Sequence, residues 1–111
     1  MVDLSELADI ASQPLSAAYS LPFAAYTDAD VYRAEAERMF ARDCVFVCMA
    51  GELPNIGDYL ALQIMGEPVV ILRDDGGALR ALSNTCRHRG TILLDEGFGQ
   101  IDRHIVCPYH A

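Results

Sequence analysis

Two short stretches hold residue types that bind metals: Cys86-Arg87-His88-Arg89-Gly90 and Cys107-Pro108-Tyr109-His110. Each sets one Cys and one His within three positions of each other. Between His88 and Cys107 lie 18 residues, enough for a strand out and a strand back. A β-hairpin would therefore bring both loops to one point, where two soft thiolates and two borderline imidazoles surround a single centre. A tetrahedral zinc ion is one occupant for such a set. Structural zinc sites, however, favour Cys pairs and His pairs with wider internal spacing, and here each loop mixes one Cys with one His. Two adjacent irons suit that alternation: one takes both thiolates and the other both imidazoles, as in [2Fe–2S] centres where two His replace two Cys. Cys86, His88, Cys107 and His110 are thus the candidate metal and cofactor ligands; no catalytic residue is assigned.

The neighbouring residues have plainer readings. Gly90 serves a tight turn and Pro108 stiffens the second loop. Arg87 and Arg89 flank the first His. They either act through their charge, on a bound centre or a docking partner, or hold the loop by hydrogen bonds and ion pairs. Cys44 and Cys48 lie four apart on an expected strand, hence on one face, as small buried hydrophobes. His104 reads as an ordinary, partly exposed residue, and Asp95, Glu96 and Asp102 as a solvated face.

The elements that must position these loops are mostly β. Ahead of them, Leu4, Leu7, Ala8 and Ala11 follow helical spacing. Residues 12–23, with Pro14 and Pro22, read as an extended tether. Thr27 or Asp28 caps a second helix that ends near Arg42, its apolar stripe of Tyr32, Ala36, Met39 and Phe40 turned to the core. Residues 1–42 form this helical segment and tether. From 43 onward the expected strands are a buried run over 44–49, then 58–64, 68–73 and 78–83. Asp74-Asp75-Gly76-Gly77 predicts a type I′ hairpin turn. Closely spaced strands with turn punctuation predict an antiparallel sandwich or small barrel.

Composition bounds the partners. With 111 residues the chain has one small domain's worth of sequence. Sixteen acids against eight Lys and Arg leave a net charge of −8, which argues against nucleic acid and anionic membrane surfaces. The longest apolar run, 44–51, has eight residues, against about 20 for a spanning helix. Acidic residues stand where a signal peptide carries Lys or Arg. A cytoplasmic location is expected, where four reduced Cys suggest metal or redox chemistry before disulfides.

The two loops together, Cys-Arg-His-Arg-Gly and then Cys-Pro-Tyr-His, resemble the Rieske signature of ring-hydroxylating oxygenase large (alpha) subunits. The likeness extends through Leu21-Pro22, Tyr26-Thr27, Arg38-Met39-Phe40, Glu52-Leu53-Pro54, Gly57-Asp58-Tyr59, Gly66-Glu67-Pro68-Val69-Val70 and the stretch from Arg73-Asp74 to Asn84. Cys44 and Thr85 depart from that pattern, where an aromatic and a Val are usual. The resemblance implies a Rieske antiparallel β-sandwich over 43–111, preceded by N-terminal α-helices and incomplete at the C-terminus, because the chain stops one residue after His110. It implies one Rieske-type [2Fe–2S] cluster, with electrons arriving from a reductase or ferredoxin. They pass to a mononuclear Fe(II) in a catalytic domain that the chain lacks, within a homotrimeric parent. The second reading is a stand-alone Rieske ferredoxin that only carries electrons. In such a cluster two ferric ions, two sulfides and two thiolates sum to zero charge, whereas four thiolates leave a dianion. The neutral centre accepts an electron more readily, hence potentials of about −150 to +300 mV against about −400 mV for plant-type ferredoxins. Neither ligand loop has a spare Cys for a disulfide, which favours the low end of that range.

Overall fold

The structure, a computed structural model, describes residues 3–111. The chain falls into two compact units, Met1–Val45 and Phe46–Ala111.

The first unit is helical. Helix α1 spans Leu4–Ala11, and its N-cap Asp3 accepts a hydrogen bond from the Ser5 N–H at 2.9 Å. The Pro-containing stretch after it is less extended than expected, because single 3₁₀ turns form at Leu15–Ala17 and Phe23–Tyr26. Asp28 caps helix α2, Ala29–Glu35, by accepting from the Asp30 N–H at 2.8 Å. The expected stripe is corrected here. After Glu35 the helix widens into a π-helical turn over Ala36–Phe40. That change of pitch interrupts the 3.6-residue spacing that links Tyr32 to Met39 and Phe40. All three are exposed, and the residue that α2 buries is Val31.

The second unit is built on one antiparallel sheet in the order β3-β2-β1-β4. Its strands are β1 Asp58–Ile64, β2 Glu67–Arg73, β3 Leu79–Ser83 and β4 Gly97–Gln100. The chain is therefore mostly β, with short helices ahead of the sheet. Its centre is apolar, with Leu60, Ala61 and Val70 buried on the two middle strands and Ala61 paired with Val70. Leu53 fills in from the preceding turn. Arg73, at the end of β2, ties that turn down by donating to the backbone oxygens of Leu53, Ala50 and Gly77.

Three expectations change. Residues 44–49 form no strand. They are extended, but no backbone ladder pairs with them among the described residues. Val45 and Val47 are half-buried while Cys44 and Phe46 are exposed, so Cys44 is not a buried hydrophobe. The hairpin after β2 is a type I turn closed by a left-handed Gly77, not type I′. Gly77 has φ +80°, neither Asp75 nor Gly76 has positive φ, and the Gly77 N–H reaches the Asp74 oxygen at 2.9 Å. Finally, the stretch between the ligand loops has one strand, not two. β4 pairs with β1 and the chain returns through 101–106 without a ladder.

Two glycines make the β1–β4 edge possible. Gly57 has φ +87°, and a Cβ there would lie 2.1 Å from the Ile101 oxygen. Its own N–H and C=O pair with Arg73 and Ile101 at 2.9 and 2.8 Å. Gly99 faces Tyr59 across the ladder, and the Tyr59 ring occupies the space a Cβ would need.

Candidate metal centre

The first ligand loop leaves the sheet at the end of β3. An isolated antiparallel bridge, Thr85 to Ile92, closes its base. The Cys86 N–H donates to the Thr91 oxygen at 2.8 Å, and the Gly90 N–H donates to the Cys86 oxygen at 2.8 Å. Gly90 has φ +69°, as the tight turn requires. The second loop is the same turn. The Ala111 N–H donates to the Cys107 oxygen at 2.9 Å, and Ala111 takes φ +62°. Both loops are thus single turns in which the Cys carbonyl accepts from the residue four places on. His88 is the second residue after its Cys and His110 the third.

Asn84 holds the first loop in place, and the sequence reading passed over it. Its side chain is 1% exposed. Nδ2 donates to the Leu94 oxygen at 2.7 Å, and Oδ1 accepts from the Leu94 N–H at 3.0 Å. Its backbone N–H donates to Pro68 on β2 at 2.9 Å, and its oxygen accepts from Leu93 at 3.1 Å. One side chain thus imitates a rung of β-ladder and pins the segment after the loop against the sheet. The available signal was a polar residue directly after an apolar strand and two places before Cys86.

Within the second unit the structure sets the candidate ligands in two like pairs. The His88 and His110 rings lie with centroids 5.0 Å apart, tilted by 52°. The two sulfurs form the other pair. The Cys86 thiol sits below the ordinary thiol range because the His88 N–H donates to its sulfur. The Cys107 thiol and the Arg89 N–H add to that effect against a smaller opposing effect of burial. Cys86 and Cys107 are half-buried and both His are exposed. The sulfurs border a cavity of about 490 Å³ lined also by Leu93 and Ile105.

Among the described residues, no three His, Cys, Asp or Glu side chains close on a single point. Two thiols side by side and two imidazoles side by side fit a two-iron cluster, and a thiol already biased toward its anion is prepared for iron. The neighbours divide as follows. Arg89 packs on Tyr109, while Arg87 is exposed and makes no ion pair among the described residues. His104 is exposed, as are Asp95, Glu96 and Asp102, and Glu96 accepts from Gln63 at 2.7 Å.

Residues 43–111 match the family model of the Rieske [2Fe–2S] domain. The chain is 39% identical over 92 residues to the oxygenase subunit of glycine betaine monooxygenase from Chromohalobacter salexigens, covering 83% of this chain and 20% of that protein. It is 40% identical over 94 residues to the oxygenase subunit of carnitine monooxygenase from Escherichia coli, covering 85% and 25%. Among solved structures, a quaternary ammonium Rieske monooxygenase with bound gamma-butyrobetaine superposes with TM-score 0.78 at 39% identity, over 85% of this chain and 27% of that one. Naphthalene 1,2-dioxygenase from Rhodococcus sp. superposes with TM-score 0.79 at 34% identity, over 96% and 23%. The chain spans a fifth to a quarter of the length of these curated relatives.

Proposed function

The chain belongs to the Rieske [2Fe–2S] domain family, and on that premise we propose that Cys86 and Cys107 hold one iron and His88 and His110 the other. Residues 43–111 then act as the electron-transfer domain of an oxygenase large subunit, with 1–42 as the segment preceding it. The sorting of the four side chains into a sulfur pair and an imidazole pair, on two turns of one build, carries this reading. When bound, the cluster supplies a centre that accepts and donates one electron at a time.

The chain's own groups prepare and present that centre. The N–H groups of His88 and Arg89 donate to the Cys86 sulfur and favour its anionic form. The exposed imidazoles put the histidine side outward, where a redox partner reaches it. Arg87, exposed and unpaired among the described residues, suits an acidic docking surface on a reductase or ferredoxin. Electrons leave toward a mononuclear iron in a catalytic domain outside this sequence, in a trimeric parent. Four free thiols suit a reducing, cytoplasmic setting. Similarity to glycine betaine and carnitine monooxygenases supports an N-methylated quaternary amine as the substrate class of the parent oxygenase.

Two measurements test this. Protein purified from iron-replete cells should hold two irons and two acid-labile sulfides per chain; stoichiometric zinc would overturn the assignment. The full-length oxygenase, given reductase, NADH and O₂, should consume carnitine or glycine betaine. Turnover of naphthalene with neither amine consumed would overturn the substrate class.

A further inference from the structure

Each ligand loop is braced internally, but no backbone hydrogen bond joins one loop to the other among the described residues. The thiol pair and the imidazole pair link them only through the ligands themselves. One contact between the loops uses no ligand side chain. The Arg89 guanidinium lies over the Tyr109 ring, 5.5 Å from its centroid, and Nη1 donates to the Tyr109 hydroxyl at 3.4 Å. Tyr109 in turn meets the His110 ring edge-on, with centroids 4.6 Å apart. The chain of contacts runs from the residue after one candidate ligand to the residue before the other.

We propose that Arg89 and Tyr109 form a cross-loop latch that sets the spacing of the two ligand turns and the orientation of the His110 ring. Both are positioning residues: they act on the ligand turns and on the His110 ring and are not candidate ligands themselves. The guanidinium is suited to this because it is planar, stacks on an aromatic face and keeps a donor for the hydroxyl. The latch is on the surface, with Tyr109 57% exposed, so its strength is that of an exposed cation–π pair. Losing it should speed ligand release by about two- to fivefold. This rests on the four-ligand reading above.

The test is a double-mutant cycle with R89Q, Y109L and R89Q/Y109L, with Y109F and R89K as conservative partners. In the iron-loaded chain, release of iron to a chelator is timed and the visible circular dichroism of the cluster recorded. Y109L removes no charge, yet it should accelerate iron loss and alter the dichroism as R89Q does. The double variant should be no worse than either single, and Y109F, which keeps the ring, should stay near wild type. An inert Y109L, or additive single effects, would overturn the latch, as would R89K matching wild type while Y109L does nothing, which is the pattern of a charge acting alone. A second arm uses the iron-free chain: R89Q should shift the His110 ring signals in NMR when Tyr109 is present and add no shift on the Y109L background. Independent shifts would refute the latch there too. A wild-type chain that binds no iron counts against the ligand assignment, while the iron-free arm still decides the latch.

Discussion

Asn84→Ala should be the most damaging single truncation near the ligand loops. The side chain is almost wholly buried and makes two hydrogen bonds to Leu94, at 2.7 and 3.0 Å. Each such bond contributes about 0.5–1.5 kcal/mol net, and a group left unpaired away from water costs about 1–3 kcal/mol. Leu94 is half-buried, so water restores part of the loss. The expected cost is about 2–4 kcal/mol, a large share of the roughly 5–15 kcal/mol that holds a small domain together. Gln63→Ala is the control, because its bond to Glu96 is of similar length but exposed, and its loss should stay within about 0.5 kcal/mol. Urea unfolding followed by far-UV circular dichroism measures both, the chain having no Trp to report by fluorescence. With a slope of about 1–2 kcal/mol per molar urea, the Asn84 variant should lose about 1–4 M in midpoint. A midpoint shift no larger than that of Gln63→Ala would refute the view that Asn84 pins the base of the first loop.

Gly57→Ala should cost at least about 2 kcal/mol in the same assay, since φ +87° is unfavourable for any Cβ and the Ile101 oxygen stands 2.1 Å from it; a neutral substitution would contradict this geometry. His88→Cys, if it holds a cluster, should lower its reduction potential, because a thiolate adds one negative charge; an equal or higher potential by protein-film voltammetry sinks the charge argument. The Asp74 carboxyl is held below its ordinary value of 3.8 by Arg80 first and by the Ala78 and Gly76 N–H groups. That stability is whole above the unfolded value and lost as pH falls through the lower folded one, so Asp74→Asn should flatten the decline of Tm below about pH 4; equal slopes in both proteins would refute it. The 111-residue chain given reductase, NADH and O₂ should hydroxylate nothing, because a facial triad needs two His and, of three in the chain, only His104 is left over; product formation would overturn the ligand assignment.

The strands were legible where an apolar run met a turn that could be read by residue type. β1, β2 and β3 fall within a residue or so of their expected bounds because Gly66, Asp74 and Gly77 punctuate them. The run at 44–49 misled for a physical reason. Val, Phe and Cys favour strands as side chains that fit a half-buried surface, but a strand exists only where a second backbone supplies the ladder, and composition says nothing about that partner. The helix stripe failed differently. Its positions assume constant pitch, which the π-helical turn at Ala36–Phe40 interrupts, and the residue that α2 buries is Val31, outside the stripe.

The four candidate ligands could be singled out in the sequence, since Cys and His at short spacing are distinctive by type alone. Their supports were not, because a support is defined by what it touches. Asn84 is one polar residue among many until Leu94, ten positions on, is seen against it. Arg89 read equally as a free charge or as a brace until the fold set Tyr109, twenty positions on, beneath it. The spacing Cys-x-His against Cys-x₂-His also gains a meaning in three dimensions. Both loops are the same turn, with a His at the second place of one and the third place of the other. The two rings come within 5.0 Å of each other, and the Cys86 sulfur is partnered by the Cys107 thiol. Equal spacing in both loops would have placed each His identically on its own turn, and the sorting into a sulfur pair and an imidazole pair would then rest on the loops' relative orientation alone. The one-residue difference therefore sets the two His at different places on matched turns, and it is legible only to a reading that already knows the turns are alike.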